Sequence, residues 1–309
     1  MPVLTLAHSP DADDMVMFWP LTGMVRSDGS RHDGALGAPA IDTGGFTFRV
    51  EARDVEELNR VAITSVGDGE RAYDVSAISA ATYPLVAGAY AITACGGSFG
   101  EGYGPKVVVR EDDARVRVDE LSRARVAVPG TRTTAFLTMS LMLGAGAFEP
   151  VEMLFSEIPD AVSRGAVDAG LLIHEAQLML DRHGLRELAD VGAWWHEHTG
   201  LTLPLGLNVV RRDLDERFGA GTVERVSAML QASVRHAREH AKESRTFLLE
   251  HAGDREEWKD EGLVEMYLSM YVSEMTVDMG RTGRTALRRL FDEAGSAGLC
   301  PPVGEIDVI

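Results

Sequence analysis

Cysteine is scarce in this 309-residue chain. The only two, Cys95 and Cys300, lie far apart and show no metal-ligand spacing. A disulfide-stapled scaffold is thereby excluded, and two free thiols in a reducing compartment are expected. Long apolar runs are also lacking: nothing approaches the roughly 18 to 20 residues of a membrane span. MPVLTLAHSPDADD has neither the basic start nor the apolar stretch of a secretory signal. The expectation is a cytoplasmic protein with no membrane partner. Basic residues are in the minority, 30 against 48 acidic, and the formal charge of −18 repels phosphate backbones, which argues against nucleic acid.

Familiar catalytic signatures are missing or broken. No GxxxxGK[ST] loop is present, and GAGAF at Gly144 to Phe148 lacks the third glycine and preceding strand of a dinucleotide fingerprint. GGSFG at Gly96 to Gly100 fits the serine-nucleophile pattern, but EGYGPK follows where a helix is required. His196 and His198 flank Glu197 at positions that point apart on a helix, so no metal site is expected. Neither a metal nor a nucleotide cofactor is indicated.

What the chain does have is alternation of strand and helix. VLTLAH reads as a strand, and DADDMVMFWPL as a helix whose amino end carries Asp11, Asp13 and Asp14, acids that suit the positive end of a helix dipole. FTFRVEARDVEELNRVA and YDVSAISAATYPLV each pair a strand with a helix, AYAITAC is a further strand, and the glycine-rich GGSFGEGYGPKVVVR leads into a strand leaving the first lobe. ARVAVPG, VEMLF and AGLLI then form a second alternating set with the helices TTAFLTMSLML and SEIPDAVSRG. LPLGLNVVRR crosses back, and residues 213–298 have mostly helical periodicity that should pack on the first lobe. The fold class is α/β in two lobes: residues 1–109 and 205–309 as lobe 1, and 110–204 as lobe 2. A cleft between hinged lobes is a common place for a small ligand.

His174 follows AGLLI at a predicted strand-to-helix junction, the position where open α/β sheets bind ligands. Small polar groups sit at other strand ends: His8 and Ser9, Ser76 and Ser79, Thr131, Thr133 and Thr134. Thr133 and Thr134 begin a helix, so hydroxyls and free backbone N–H groups would both face a carboxylate. The apolar stripe from Met266 to Met279 fits the core, with a homodimer contact as its alternative.

HSPDADDMVMFWPL, GPKVVVR, PGTRTTAFL and GAVDAGLLIHE through WWHEHTGLTLPLGLNVVRR together resemble the 1,4-dihydroxy-6-naphthoate synthase family of menaquinone biosynthesis. The resemblance implies a two-lobed, type II periplasmic-binding-protein-like fold with two crossovers. It further implies a lyase that converts cyclic dehypoxanthine futalosine to the naphthoate without a cofactor, with a neutral His174 as proton acceptor. Ser9, Asp14, Ala77, Ile78, Ser79, Thr133 and Thr134 match substrate-binding positions, and the substrate is an anionic carboxylate. The alternatives are a chorismate dehydratase-like enzyme of the same pathway, or a small-carboxylate binding or sensor protein.

The chain also departs from the family pattern. After Ser-Pro, where Cys-Pro-Asn-Asp-Thr is expected, it has Asp11, Ala12, Asp13, Asp14 and Met15, and a lysine often found in place of Ala77 is absent. These changes mark a divergent member, lacking a cation that would pair with an anionic ligand.

Overall fold

The computed structural model describes residues 1–66 and 72–309. Eleven strands are present among them: β1 (Val3–His8), β2 (Thr47–Ala52), β3 (Val75–Ser79), β4 (Tyr90–Ile92), β5 (Ser98–Gly100), β6 (Lys106–Arg110), β7 (Arg125–Val128), β8 (Glu149–Glu152), β9 (Ala169–Leu172), β10 (Leu185–Asp190) and β11 (Leu203–Arg211). They form two sheets. The first runs β2-β1-β3-β11-β4 with β5 added on β11, and the second runs β10-β6-β9-β7-β8. β1 is parallel to β2 and β3, whereas β11 returns antiparallel to β3, bringing its first residues to the carboxyl ends of those strands.

The sequence reading put residues through Val109 in lobe 1, but β6 pairs with β9 and β10 and lies wholly in the second sheet. The crossing therefore precedes Lys106. Lys106 itself is tied to Glu187 and Asp190 of the β10 region, which fixes the strand's allegiance after the glycine-rich loop. β10 was not anticipated, because LRELAD carries charge on alternate residues and has little apolar signal.

Each lobe buries its own core. Leu4, Leu6, Met17, Phe18, Val226, Leu230 and Val234 pack together, so the helix Thr222–Glu239 covers the first sheet as its apolar periodicity demands. Val107, Val109, Val126, Val128, Met139 and Leu171 fill the second lobe. Trp195 sits at the return crossing, fully buried against Tyr83, Leu207 and Phe291, with its indole N–H donated to the carbonyl of Thr202. Its neighbour Trp194 stacks on His198, so the tryptophan pair and WHEHTG anchor a crossover. No described helix is long and apolar enough to cross a membrane.

Candidate active site

The helix Ala12–Thr22 begins where β1 ends, and Asp11 caps it by accepting from the Asp14 N–H at 3.1 Å. Capping leaves the other Asp11 carboxylate oxygen free to face the second lobe. It meets His174 there: Nδ1 lies 2.7 Å from Oδ2. His174 opens a short 3-10 turn, His174–Leu178, directly after β9, rather than the longer helix anticipated from Glu175 to Leu180. Its φ of +55° is a left-handed conformation that non-glycine residues seldom adopt, though histidine tolerates it better than most. Strain of this kind persists where surrounding contacts over-determine it, often at functional sites. The edge of the Phe155 ring fixes the imidazole from one side, at 4.7 Å between centroids.

The turn continues the clasp between lobes. Glu175 accepts from the Ala12 N–H and the Trp258 indole, and Gln177 donates to the Tyr271 hydroxyl. Thr134 donates its hydroxyl to the carbonyl of Leu205 and accepts from the Ala81 N–H. These bonds hold the cleft shut around a cavity of about 100 Å³, less than the few hundred Å³ of usual ligand pockets.

All eight candidate residues, Ser9, Asp14, Ala77, Ile78, Ser79, Thr133, Thr134 and His174, line this one cavity. His8, Ser76 and Thr131 do not. His8 is buried against Phe18 with Nδ1 at the carbonyl of Ser9, Ser76 donates to the carbonyl of Ala77, and Thr131 bonds Glu152. The expectation that the Thr133 and Thr134 hydroxyls would face a ligand is also revised. Thr133 caps its helix on the Phe136 N–H while donating to Gly130, and Thr134 ties the lobes together. What remains for a ligand is the amino end of the helix Thr134–Leu143, whose first N–H groups have no acceptor within the helix. The Ser98 hydroxyl of GGSFG accepts from the Gly206 N–H and serves the β5–β11 junction.

Sequence reasoning did not place Asn208, Gln177, Tyr267 or Tyr271 in the site, and read Asp11 and Asp13 as helix-dipole acids and departures from the family pattern, yet all six line the cavity. Asn208 was detectable: an asparagine in the apolar run of a central strand runs against strand preference. Both polar atoms of its side chain lack a partner although the residue is buried, as do His174 Nε2 and Gln177 Oε1. Ser9 Oγ, beside the Asp11 carboxylate, also forms no well-aligned bond. Leaving a buried polar group unmade costs about 1–3 kcal/mol, so this concentration of them marks a surface shaped for a ligand. The two tyrosines come from the Met266–Met279 stripe. Tyr267 and Tyr271 point inward, Tyr267 donating to Asp13 at 2.8 Å, while Met266 is exposed.

The electrostatics are unusual for a site expected to hold an acid. Asp11, Asp13 and Asp14 line the cavity with Glu175 behind them, and among the described residues no lysine or arginine lines it. Burial raises the Asp11 pKa, but the His174 ring overcomes it and holds the carboxyl well below its ordinary range. Burial also lowers the His174 pKa, and the Asp11 charge with its hydrogen bond outweighs that, leaving the imidazole above its usual 6.5. Asp11 thus steadies the protonated form of the ring, and the neutral form, present above that raised value, is the one able to accept a proton. Burial, with the Asp11 and Asp14 charges added, lifts Asp13 well above 3.8, only partly opposed by Tyr267. Burial and Asp11 do the same to Asp14, and burial likewise raises Glu175.

One consequence is measurable. Because the folded state raises the pKa of Asp13, its contribution to stability is complete below the ordinary carboxylate pKa and fades as pH climbs through the raised value. Asp13→Asn cannot ionise and keeps an acceptor for Tyr267. Its Tm should exceed that of the parent by about 2 °C or more at about pH 8.5, with a smaller gain at about pH 5.5. Calorimetry at both pH values that gave equal gains would show that Asp13 does not titrate in this range.

Asp11, Asp13 and His174 bring three possible metal-ligand atoms within 4.8 Å of one another, a grouping that the sequence reading did not anticipate. Protein hydrogen bonds already engage them, His174 with Asp11 and Asp13 with Tyr267.

A profile of the menaquinone biosynthesis family matches residues 4–296. The chain belongs to that family. It is 37% identical to a 1,4-dihydroxy-6-naphthoate synthase of Streptomyces coelicolor over 97% of this chain and 96% of that one. It is 35% identical to a protein of the same name from Thermus thermophilus, over 98% and 97%. A crystal structure of an Archaeoglobus fulgidus protein, 35% identical, superposes with a TM-score of 0.76 over 96% of this chain and 98% of that one. The alkanesulfonate-binding protein of Xanthomonas axonopodis, 13% identical, superposes at 0.67 over 100% and 98%, and shows the periplasmic-binding-protein-like fold. The two-lobed architecture and the menaquinone-biosynthesis assignment implied by the sequence motifs both hold.

Proposed function

We propose that this enzyme is a carbon–carbon lyase that converts cyclic dehypoxanthine futalosine to 1,4-dihydroxy-6-naphthoate, with His174 as the proton acceptor. The observation that carries the reading is the state of one ring. Nδ1 is committed to Asp11, and Nε2, buried and without a partner, is left to the cavity. An imidazole so arranged accepts a substrate proton at Nε2 while Asp11 stabilises the imidazolium that results. Removal of that proton starts carbon–carbon fission, and the closed lobes keep water from the reacting carbanion. Asp13 and Asp14, held toward their protonated forms, add less negative charge than their number suggests.

The substrate carboxylate belongs at the amino end of the helix Thr134–Leu143, where unpaired N–H groups and the helix dipole favour an anion without any cationic side chain. Ser9, Ala77, Ile78 and Ser79 complete the wall around the substrate. A chorismate dehydratase-like activity fits less well, since chorismate brings two carboxylates to a cavity whose lining offers no lysine or arginine. Incubation of the purified protein with cyclic dehypoxanthine futalosine should release the naphthoate, detected by its absorbance and mass. Full recovery of the substrate, or turnover of chorismate instead, would refute the reading.

A further inference from the structure

We propose that Asn208 recognises a hydroxyl-bearing, uncharged ring of the substrate. The inference rests on the lyase reading for the identity of the substrate. Asn208 lies directly opposite Ala77 in the β3–β11 register, so the two side chains are neighbours on the same face of the sheet. Ala77 ends at Cβ, and both residues line the cavity. The Asn208 side chain is 1% exposed, yet neither its Nδ2 nor its Oδ1 has a partner among the described residues.

The surroundings keep that amide free. A Cβ at Gly96 would lie 1.9 Å from Asn208 Nδ2, and Gly96 also has a φ of +74°, so a glycine there both makes the turn and leaves the amide its room. β11 holds the backbone on either side, against β3 and against Ile92 of β4, which fixes the direction in which the side chain points.

The chemistry of the amide selects the ligand. Nδ2 has two hydrogens to give and Oδ1 has lone pairs to receive, so full satisfaction needs a partner that both accepts and donates. A carboxylate only accepts, and would leave Oδ1 facing a like partial charge. A hydroxyl meets both demands without adding charge. Asn208 thus binds a hydroxylated part of the substrate, and the carboxylate goes to the amino end of the helix Thr134–Leu143.

Two measurements test this together. Asn208→Leu and Asn208→Ser are compared with the parent for affinity, by calorimetry, toward cyclic dehypoxanthine futalosine and toward benzoate, which has the carboxylate but no hydroxyl. The expected result is a loss of about 10- to 100-fold in affinity for the futalosine compound and little change for benzoate. In the absence of ligand, the Tm of Asn208→Leu should match or exceed that of the parent, since an unpaired buried amide is replaced by an apolar group of like volume. Equal losses for both ligands, no loss for either, or a parent that does not bind the futalosine compound would each overturn the assignment. A marked fall in ligand-free Tm for both variants would also overturn it, by showing that the amide serves the fold. A parent that binds the futalosine compound but forms no naphthoate would refute the lyase reading alone, and the affinity comparison would still decide the role of Asn208.

Discussion

Replacing His174 with asparagine is expected to lower kcat for naphthoate formation by about 10²- to 10⁴-fold, the range that general-base catalysis contributes. Asparagine suits the test because it also tolerates the left-handed backbone that His174 adopts at φ +55°, so the turn after β9 should survive. The predicted signature is a collapse of kcat with substrate affinity changed far less, because Nε2 acts on the proton being transferred. Single-turnover product formation together with calorimetric binding checks it. A variant that retains parental kcat would remove His174 from the mechanism, and one that loses binding and rate in proportion would reassign it to substrate positioning.

The second large effect belongs to Asp11. In Asp11→Asn the cap on Asp14 N–H can persist, but the carboxylate that holds the imidazole proton on Nδ1 is gone. An amide hydrogen donated to Nδ1 would place the proton on Nε2, the atom that must accept from the substrate. The expected loss in kcat is about 10²- to 10⁴-fold. The pH profile distinguishes this from simple damage. Asp11 raises the His174 pKa, so in the parent the base form is lost, and the rate falls, as pH drops through a value above 6.5. Without the neighbouring charge, the acid limb of kcat/KM should move to lower pH. A reduced rate with an unmoved acid limb would mean that Asp11 supports the fold and not the base.

Much of the cleft was legible along the chain. His174 after AGLLI, the threonines after ARVAVPG, Ser9 after VLTLAH and the SAIS strand end are each at the end of a strand, and strand ends in such sheets converge. Asp11 and Asp13 were legible as residues but not in role. They read as dipole-favouring acids at a helix start, whereas their partners His174 and Tyr267 are 163 and 254 positions away. The sequence also gave no indication that the Thr133 and Thr134 hydroxyls would be consumed by a cap and by the interlobe clasp, since both uses look the same as ligand binding in a string of letters. The β6 boundary was misplaced because a glycine-rich loop announces a crossing without stating on which side of it the next strand pairs.

Local pattern was enough to set the alternation of strands and helices, the two-lobed architecture and the strand ends on which a site would be built, because apolar periodicity and turn residues act over a few positions. Tertiary structure alone decided which acid meets the histidine, that the Asn208 amide is left unpaired opposite Ala77, and that the lining of the cavity carries no lysine or arginine. These depend on distances between segments far apart in the chain, and on burial, which changes the charge a carboxyl or imidazole holds only once neighbours have replaced water around it.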